Sequence, residues 1–313
     1  MKCLMSNPYK ADALLLVDVH NLSWISYHAP VKNEKLDRTG YPAYHYDIAL
    51  GRIAAVIDYI RKDSNKKVCI MTSADEYPSK KKKLFPEYKA QRVKELKEYN
   101  VKTIDGEEMS KPLDPVRDIK HALSLIPHCK VSIPTKDEET DDIIATLTKM
   151  FKDKDCYILS SDRDLWQLNF KNVHIVFQGY PKIQEVKKKD VLKKFGNKDY
   201  RLIPLIKTLT GDASDNLKGI YRFPISKTAP LLKYSKYKGN VKKALKFIEG
   251  ITTKSVKEKI ESDRDRLVQL HSIIKLNRNL NLKLSKRKGN LKEFCKFLKF
   301  RDLLDSRILT LWD

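Results

Sequence analysis

The chain has little of what metal sites and secreted folds usually rely on. Its five cysteines, Cys3, Cys69, Cys129, Cys156 and Cys295, lie far apart with no C-x-x-C pair, so neither a zinc site nor a disulfide framework is suggested. Their odd number fits a reducing cytoplasm. The seven histidines show no H-x-x-x-H spacing, so a bound metal has to be held by oxygen. No apolar run approaches the ~18–20 residues that a membrane-spanning helix needs. The opening MKCLMSNPYKADALLLVDVHN has a basic residue and a short apolar run, but Asn, Pro, Lys and Asp split it, and no signal peptide is expected. Internal repeats, low-complexity tracts and Gly/Ser linkers are missing as well.

Positive charge is abundant. With 63 Lys+Arg against 40 Asp+Glu, the net charge is +23 and the pI near 9.6. Such an excess favours a polyanionic partner, a nucleic acid or an anionic membrane face. Without a spanning segment, nucleic acid leads. The 313 residues suggest about two domains.

Short apolar runs at Leu14–Val17, Val68–Met71, Val131–Ile133 and Tyr157–Leu159 alternate with stretches of helical spacing such as Ile48–Ile60 and Pro115–Leu125. This alternation predicts a mostly parallel α/β sheet. Ligands of such sheets bind beyond the carboxyl ends of the strands, and there the acids gather: Asp18 after the first run, Asp75 after the second, Asp162 and Asp164 in "SSDRDLWQL" after the fourth. An Asp after a strand is often the N-cap of the next helix. Capping accounts for one member of that pair, not readily for both, because two close carboxylates repel unless a cation or proton lies between them. After the third run, "TKDEETDDIIATLTKM" puts Glu139, Asp141 and Asp142 at the start of a helix, where acids also complement the helix dipole.

The stretch Lys80–Asn100 interrupts the alternation with a basic, partly helical insertion. It reads either as a solvated charged helix or, through Tyr88, Lys89 and Arg92, as a stacking ring beside two phosphate-binding cations. Beyond about residue 200 the pattern becomes helical, and residues 221–250 hold eight Lys/Arg against one acid. At the head of this region, "LTGDASDNLKGI" places Asp212 and Asp215 three residues apart between Gly211 and Gly219, on one face if helical. Capping or solvation would explain that pair equally. Acids at strand ends feeding a basic helical region fit a multi-carboxylate divalent-metal site, and two ions ~4 Å apart suit phosphodiester hydrolysis.

Five stretches, VDVHN, FPEYKAQR, ETDD, SSDRD and TGDASDN, stand in the order found in the bacterial and bacteriophage 5′→3′ exonuclease and flap endonuclease family, which the chain resembles from about Leu14 to Lys233. The resemblance implies a PIN-like α/β nuclease core over residues 1–199, with a helical arch at about 80–112, and a helix–turn–helix (H3TH) DNA-binding region over 200–313. It implies a first metal site of Asp18, Asp75, Glu139, Asp141, Asp142 and Asp162, and a second completed by Asp164, Asp212 and Asp215. The ions would be two Mg²⁺, replaceable by Mn²⁺. Lys89 and Arg92 would act on the scissile phosphate from the arch, Tyr88 would stack a base, and Lys218, Lys227, Lys242 and Lys243 would grip the nucleic acid. The implied substrates are DNA with a 5′ flap, nick or single-stranded 5′ end, and RNA–DNA hybrid. A monomer in a bacterial or phage-infected cytoplasm is the implied setting.

Two departures stand out. The usual Asp-Gly after the first strand is Asp18-Val19-His20-Asn21 here, and the usual Gly-Ile-Gly hairpin is "YRFPISKTA", Tyr221–Ala229. Pro224 removes an N–H and Phe223 adds bulk, which disfavours a K⁺ ion at that turn and predicts a changed duplex contact. The competing class is a catalytically silent nucleic-acid-binding protein on the same fold, which would be expected to have lost some of these acids. A phosphatase acting on small substrates would not need the basic C-terminal region.

Overall fold

The computed structural model describes the chain apart from residues 1–3, 30–35, 63–64, 75–78, 92–97, 103–107, 127–128, 134–136, 179–181, 221–222, 224–238, 286–288, 302 and 304–313. Asp75, Arg92 and Lys227 therefore lie outside the described residues, as does the Tyr221–Ala229 turn except for Phe223, which is buried.

Strand β1 (Ala13–Asp18) is buried along its whole length and leads directly into α1 (Val19–Tyr27). Next come α2 (Tyr44–Arg61), β2 (Val68–Ser73), the short α3 (Lys80–Leu84), β3 (Glu98–Lys102), β4 (Glu108–Pro112), α4 (Pro115–Leu125) and β5 (Cys129–Ile133). Then follow α5 (Thr140–Met150), β6 (Asp155–Leu159), a 3-10 helix (Asp164–Leu168), β7 (Val173–Gln178), β8 (Ile183–Glu185), α6 (Lys188–Phe195) and α7 (Ile203–Thr210). The described C-terminal elements are α8 (Val241–Ile251), α9 (Lys254–Ser262), α10 (Arg264–Ile274), β9 (Lys283–Leu284) and α11 (Leu291–Phe300).

The seven-stranded sheet runs β8-β7-β6-β1-β2-β5-β9. Its inner pairs are parallel, and β8 and β9 close the two edges in antiparallel sense. Side chains alternate along β1, so Leu14 and Leu16 join one core with Ile143, Ile144 and Ile158, while Leu15 and Val17 join another with Leu50, Ile53 and Ile119. Both faces are covered, which is why these strands read as unbroken apolar runs. The chain winds from central β1 outward through β2 to β5, then returns to β6 on β1's other side. Ligands of such sheets bind beyond the carboxyl ends of the strands at a reversal of this kind, and there Asp18 and the SSDRD loop sit.

The C-terminal stretch adds to this sheet, and the insertion pairs two strands of its own. In the described residues, helix in the insertion is limited to Lys80–Leu84; turns follow, and Glu98–Lys102 pairs antiparallel with Glu108–Pro112. Part of the described C-terminal stretch packs back on the core. β9 adds to β5, and α11 buries Phe294, Phe297 and Leu298 in the core that holds Tyr46 and Ile119. Arg301 fastens this return through an ion pair to buried Asp37 and contacts with the rings of Tyr41 and Tyr46.

Candidate metal centre and active site

Asp18 ends β1 and does two things. One oxygen caps α1 by accepting from the Asn21 N–H at 3.0 Å, and the other accepts from Ser160 Oγ at 2.9 Å. Ser160 in turn accepts from the Asp162 N–H at 3.0 Å, and Asp162 Oδ1 accepts from the Asp164 N–H at 2.8 Å. Asn21, part of the unusual VHN sequence, accepts from both the N–H and the hydroxyl of Ser161 at 2.9 and 3.1 Å. The loop after β6 is thus hung on the end of β1, and a side-chain amide fastens it there.

The loop after α7 brings its acids to the same place. Oxygens of Asp164, Asp212 and Asp215 lie within 4.8 Å of one another. Among the described residues no other three carboxylates come so close. Lys207 on α7 is paired with both Asp164 and Asp212, the latter at 2.5 Å. Burial pushes the Asp212 carboxyl up, but Lys207 and the bonds from Ser214 outweigh it and hold the acid below the usual carboxylate range. These acids line an open cleft of about 530 Å³ with Asp162, Arg163 and Lys194. Three hard oxygen donors this close, already calling a cation into their midst, fit a divalent ion such as Mg²⁺.

The loop owes its shape to two glycines. Gly211 adopts φ +81°, and a Cβ on Gly219 would lie 2.2 Å from the Gly211 nitrogen and 2.5 Å from the Leu209 oxygen. Backbone therefore packs on backbone, with Asp212 and Leu217 exchanging hydrogen bonds at 2.8 Å across the hairpin.

Glu139 and Asp142 at the head of α5 form the other acidic group. Both are buried, and the Lys81 ammonium bridges them at 3.3 and 2.9 Å. Glu139 also accepts from the Tyr88 hydroxyl at 2.9 Å and from Lys89 Nζ at 3.4 Å. Burial pushes the Glu139 carboxyl up, but Lys81, then Lys89, outweigh it and hold the acid at about 2. Burial wins at Asp142, which is raised although Lys81 opposes it. The segment carrying Tyr88 and Lys89 is stitched to the acid hairpin: the Lys89 N–H donates to the Asp215 carbonyl at 2.9 Å, Gln91 to the Ser214 carbonyl at 3.0 Å, and Asn216 to the Glu87 carbonyl at 2.9 Å.

Residues 13–196, from the first residue of β1 to the glycine that ends α6, match the family model described as the 5′-3′ exonuclease, N-terminal resolvase-like domain. The chain belongs to the 5′-3′ exonuclease family. One relative, the 5′-3′ exonuclease of Mycoplasmopsis pulmonis (strain UAB CTIP), is 28% identical over 285 residues, covering 88% of this chain and 84% of its own. The thermostable DNA polymerase I of Thermus thermophilus is 26% identical over 300 residues, 93% of this chain. The chain spans only 32% of that polymerase's length. Among solved structures, bacteriophage T5 5′-exonuclease with bound zinc superposes with a TM-score of 0.60 at 14% identity, covering 96% of this chain and 98% of that one. The parallel-sheet nuclease fold is therefore that of the family, and the chain is a 5′ nuclease.

Within this exonuclease, the sequence-predicted residues fall into three groups. Asp164, Asp212 and Asp215 are brought together as a cluster. The expected first site is instead spread over linked pairs: Asp18 reaches Asp162 through Ser160, and Lys81 bridges Glu139 and Asp142. Asp141, in the first turn of α5, is half-buried. Tyr88 requires a correction. It is 4% exposed, with its hydroxyl on Glu139 and the Lys89 ammonium 4.7 Å from its ring centre, so its ring braces the acid and offers no face to a base. Lys218, Lys242 and Lys243 are exposed. Sequence reasoning missed Lys81 and Lys207. Their signals were present: a KKKK run opposite a DEETDD run, and a lysine five residues before Asp212.

The nuclease should not tolerate a side chain at Gly219. Because the added Cβ meets backbone, the hairpin has to open, at the ~1–3 kcal/mol typical of overpacking. Gly219→Ala is expected to lower the thermal midpoint by about 2–5 °C and single-turnover cleavage at least about tenfold, since small displacements of reacting groups are costly. A melting curve and a rate match within error to wild type would show that the hairpin has slack.

Proposed function

We propose that this exonuclease is a divalent-metal-dependent, structure-specific 5′ nuclease that cuts DNA at 5′ flaps, nicks and single-stranded 5′ ends, and RNA primers in RNA–DNA hybrid. One observation carries the reading: the Lys89 N–H donates to the Asp215 carbonyl, which joins the base of the arch to the Asp164/Asp212/Asp215 cluster. The proposed cation-binding site and the lysine proposed to meet the scissile phosphate are thereby linked through the backbone.

In this reading Asp164, Asp212 and Asp215 would hold one of two Mg²⁺ ions, for which Mn²⁺ can substitute, and Asp18, Asp75, Glu139, Asp141, Asp142 and Asp162 would hold the other. Bound there, they supply Lewis-acid polarisation of the phosphodiester. The protein does the rest. Ser160 and Asn21 fix the SSDRD loop, and Tyr88 holds Glu139. Lys89 and Arg92 meet the phosphate, while Lys218, Lys227, Lys242 and Lys243 hold the backbone electrostatically. Other proteins of this fold support the substrate class: the T5 flap endonuclease has been solved with DNA and metal ions, and the Rad2 catalytic core with DNA substrate. The α/β core of residues 1–199, joined by Asp212 and Asp215, would carry the chemistry, and the region of residues 200–313 would make the duplex contact. Replication or repair in a bacterial or phage-infected cytoplasm, by a monomer, completes the proposal.

The test is incubation of the protein with 5′-labelled flap, nicked duplex and RNA–DNA hybrid, with Mg²⁺ and with chelator. Cleavage from the 5′ side that chelator abolishes is expected. Equal cleavage under both conditions would refute the metal dependence. Tight flap binding with no cleavage of any substrate would favour the silent binding protein.

A further inference from the structure

The acidic group at the head of α5 is closed by the protein's own lysines. Three side chains of the basic run meet the acidic run: Lys83 pairs with Asp137 at 2.6 Å, Lys80 pairs with Glu138, and Lys81 bridges Glu139 and Asp142. A backbone bond from the Lys80 N–H to the Asp137 carbonyl at 2.9 Å runs alongside. The three lysines are not equivalent. The Lys80 and Lys83 side chains are 55% and 54% exposed, whereas Lys81 is 13% exposed. Exposed pairs contribute little, so among the described residues Lys81 makes the most buried of the three ion pairs that join α3 to the head of α5.

Its position conflicts with that of a metal ion. Asp142 offers one oxygen to the Asn277 N–H at 2.8 Å and the other to Lys81 at 2.9 Å. Glu139 offers one oxygen to Tyr88 and Lys81 and the other to Lys89, and the hydroxyl of Ser79, the N-cap of α3, also bonds to it. A divalent ion binding this pair would compete for the oxygens that Lys81 holds, and its double charge would repel the buried ammonium. We propose that Lys81 is the resident counter-cation of Glu139 and Asp142, that a divalent ion enters by displacing it, and that metal loading therefore loosens the base of the arch from α5. This rests on the metal-dependent reading above. Coupling of this kind is reciprocal: whatever draws the arch base onto α5 weakens the ion. Lys81 is thus a positioning residue whose role is to exchange with metal.

The experiment uses DNA-free protein. Mn²⁺ binding is followed by electron paramagnetic resonance and Mg²⁺ binding by calorimetry, for wild type, Lys81→Met and Lys81→Arg. Removing the competing charge should tighten one bound ion at least about threefold in Lys81→Met, while Lys81→Arg, which keeps the charge, should not tighten it. Unchanged or weaker binding in Lys81→Met overturns the inference. A second measurement needs no variant: in wild type, amide exchange at Lys83 and Phe85, whose N–H groups donate to Ser79 and Lys81, should quicken at least about threefold when Mg²⁺ is added. Unchanged or slower exchange also overturns it. If no divalent ion binds to any of the proteins, the metal reading itself falls. If ions bind equally to wild type and Lys81→Met, only the displacement falls.

Discussion

Asp162→Asn will reduce single-turnover flap cleavage at least about 100-fold, roughly 2.7 kcal/mol of barrier, while the fold and DNA affinity survive. The substitution is chosen for what it keeps. The Asp162 N–H donates to Ser160, and Asp162 Oδ1 accepts from the Asp164 N–H at 2.8 Å. An asparagine carbonyl can accept that bond, so the loop stays hung on β1. What disappears is a half-buried negative charge facing the cleft shared with Asp164, Asp212 and Asp215. Losing it relieves repulsion among acids, so melting in chelator should be unchanged or slightly higher. For the same reason, metal-free binding of flap DNA should be equal or tighter, because one fewer carboxylate opposes the phosphates. Retention of a tenth of the wild-type rate would remove Asp162 from the site, and a lower melting point would show that the loop had collapsed instead.

The skeleton of this site was legible because its signals are local. The apolar runs at Leu14–Val17, Val68–Met71 and Tyr157–Leu159 lie within β1, β2 and β6, and the predicted Pro115–Leu125 helix is α4. A strand buried on both faces announces itself as an apolar run, and an acid at its end announces the crevice. Capping and site-building also proved compatible: Asp18 caps α1 with one oxygen and positions the SSDRD loop with the other. What stayed hidden depends on partners distant in sequence. Tyr88 lies beside Lys89 in a basic segment and reads as a surface aromatic, yet Glu139, fifty-one residues away, captures its hydroxyl. Phe294, Phe297 and Leu298 give α11 an apolar face, but spacing cannot say that this face returns to the core of α2 and α4.

Charge pairing was the largest omission, and it changes how the basic composition should be understood. A surplus of 23 positive charges invites the view that lysines serve the nucleic acid. At the site, however, Lys81, Lys89 and Lys207 are each about 12–13% exposed and each is paired with carboxylates proposed to hold metal. Buried ions are retained only when paired, so acids gathered without a bound ion recruit cations from the chain itself. In the proposed reading the surface lysines would hold DNA, while the buried ones balance the charge of the acid site.

That distinction shapes what Lys89→Ala should do. Lys89 has φ 53°, a left-handed backbone that alanine adopts at a cost similar to lysine's because both carry a Cβ. The bond from its N–H to the Asp215 carbonyl is also independent of the side chain. Alanine therefore removes the ammonium and little else. If Lys89 is merely a counter-ion of Glu139, its loss should lower the melting point in chelator and leave the cleavage rate intact. If it turns from Glu139 to the scissile phosphate, where it meets charge that grows in the transition state, the rate should suffer and the affinity should not. We expect single-turnover flap cleavage to fall at least about tenfold, on the order of 1.4 kcal/mol of barrier. The flap dissociation constant should change by less than about threefold, since one of 63 basic residues is lost. Because the effect falls on the chemical step, kcat and kcat/KM should drop together. A normal single-turnover rate with a lowered melting point would reduce Lys89 to a brace for Glu139 and leave the phosphate without a cation from this residue.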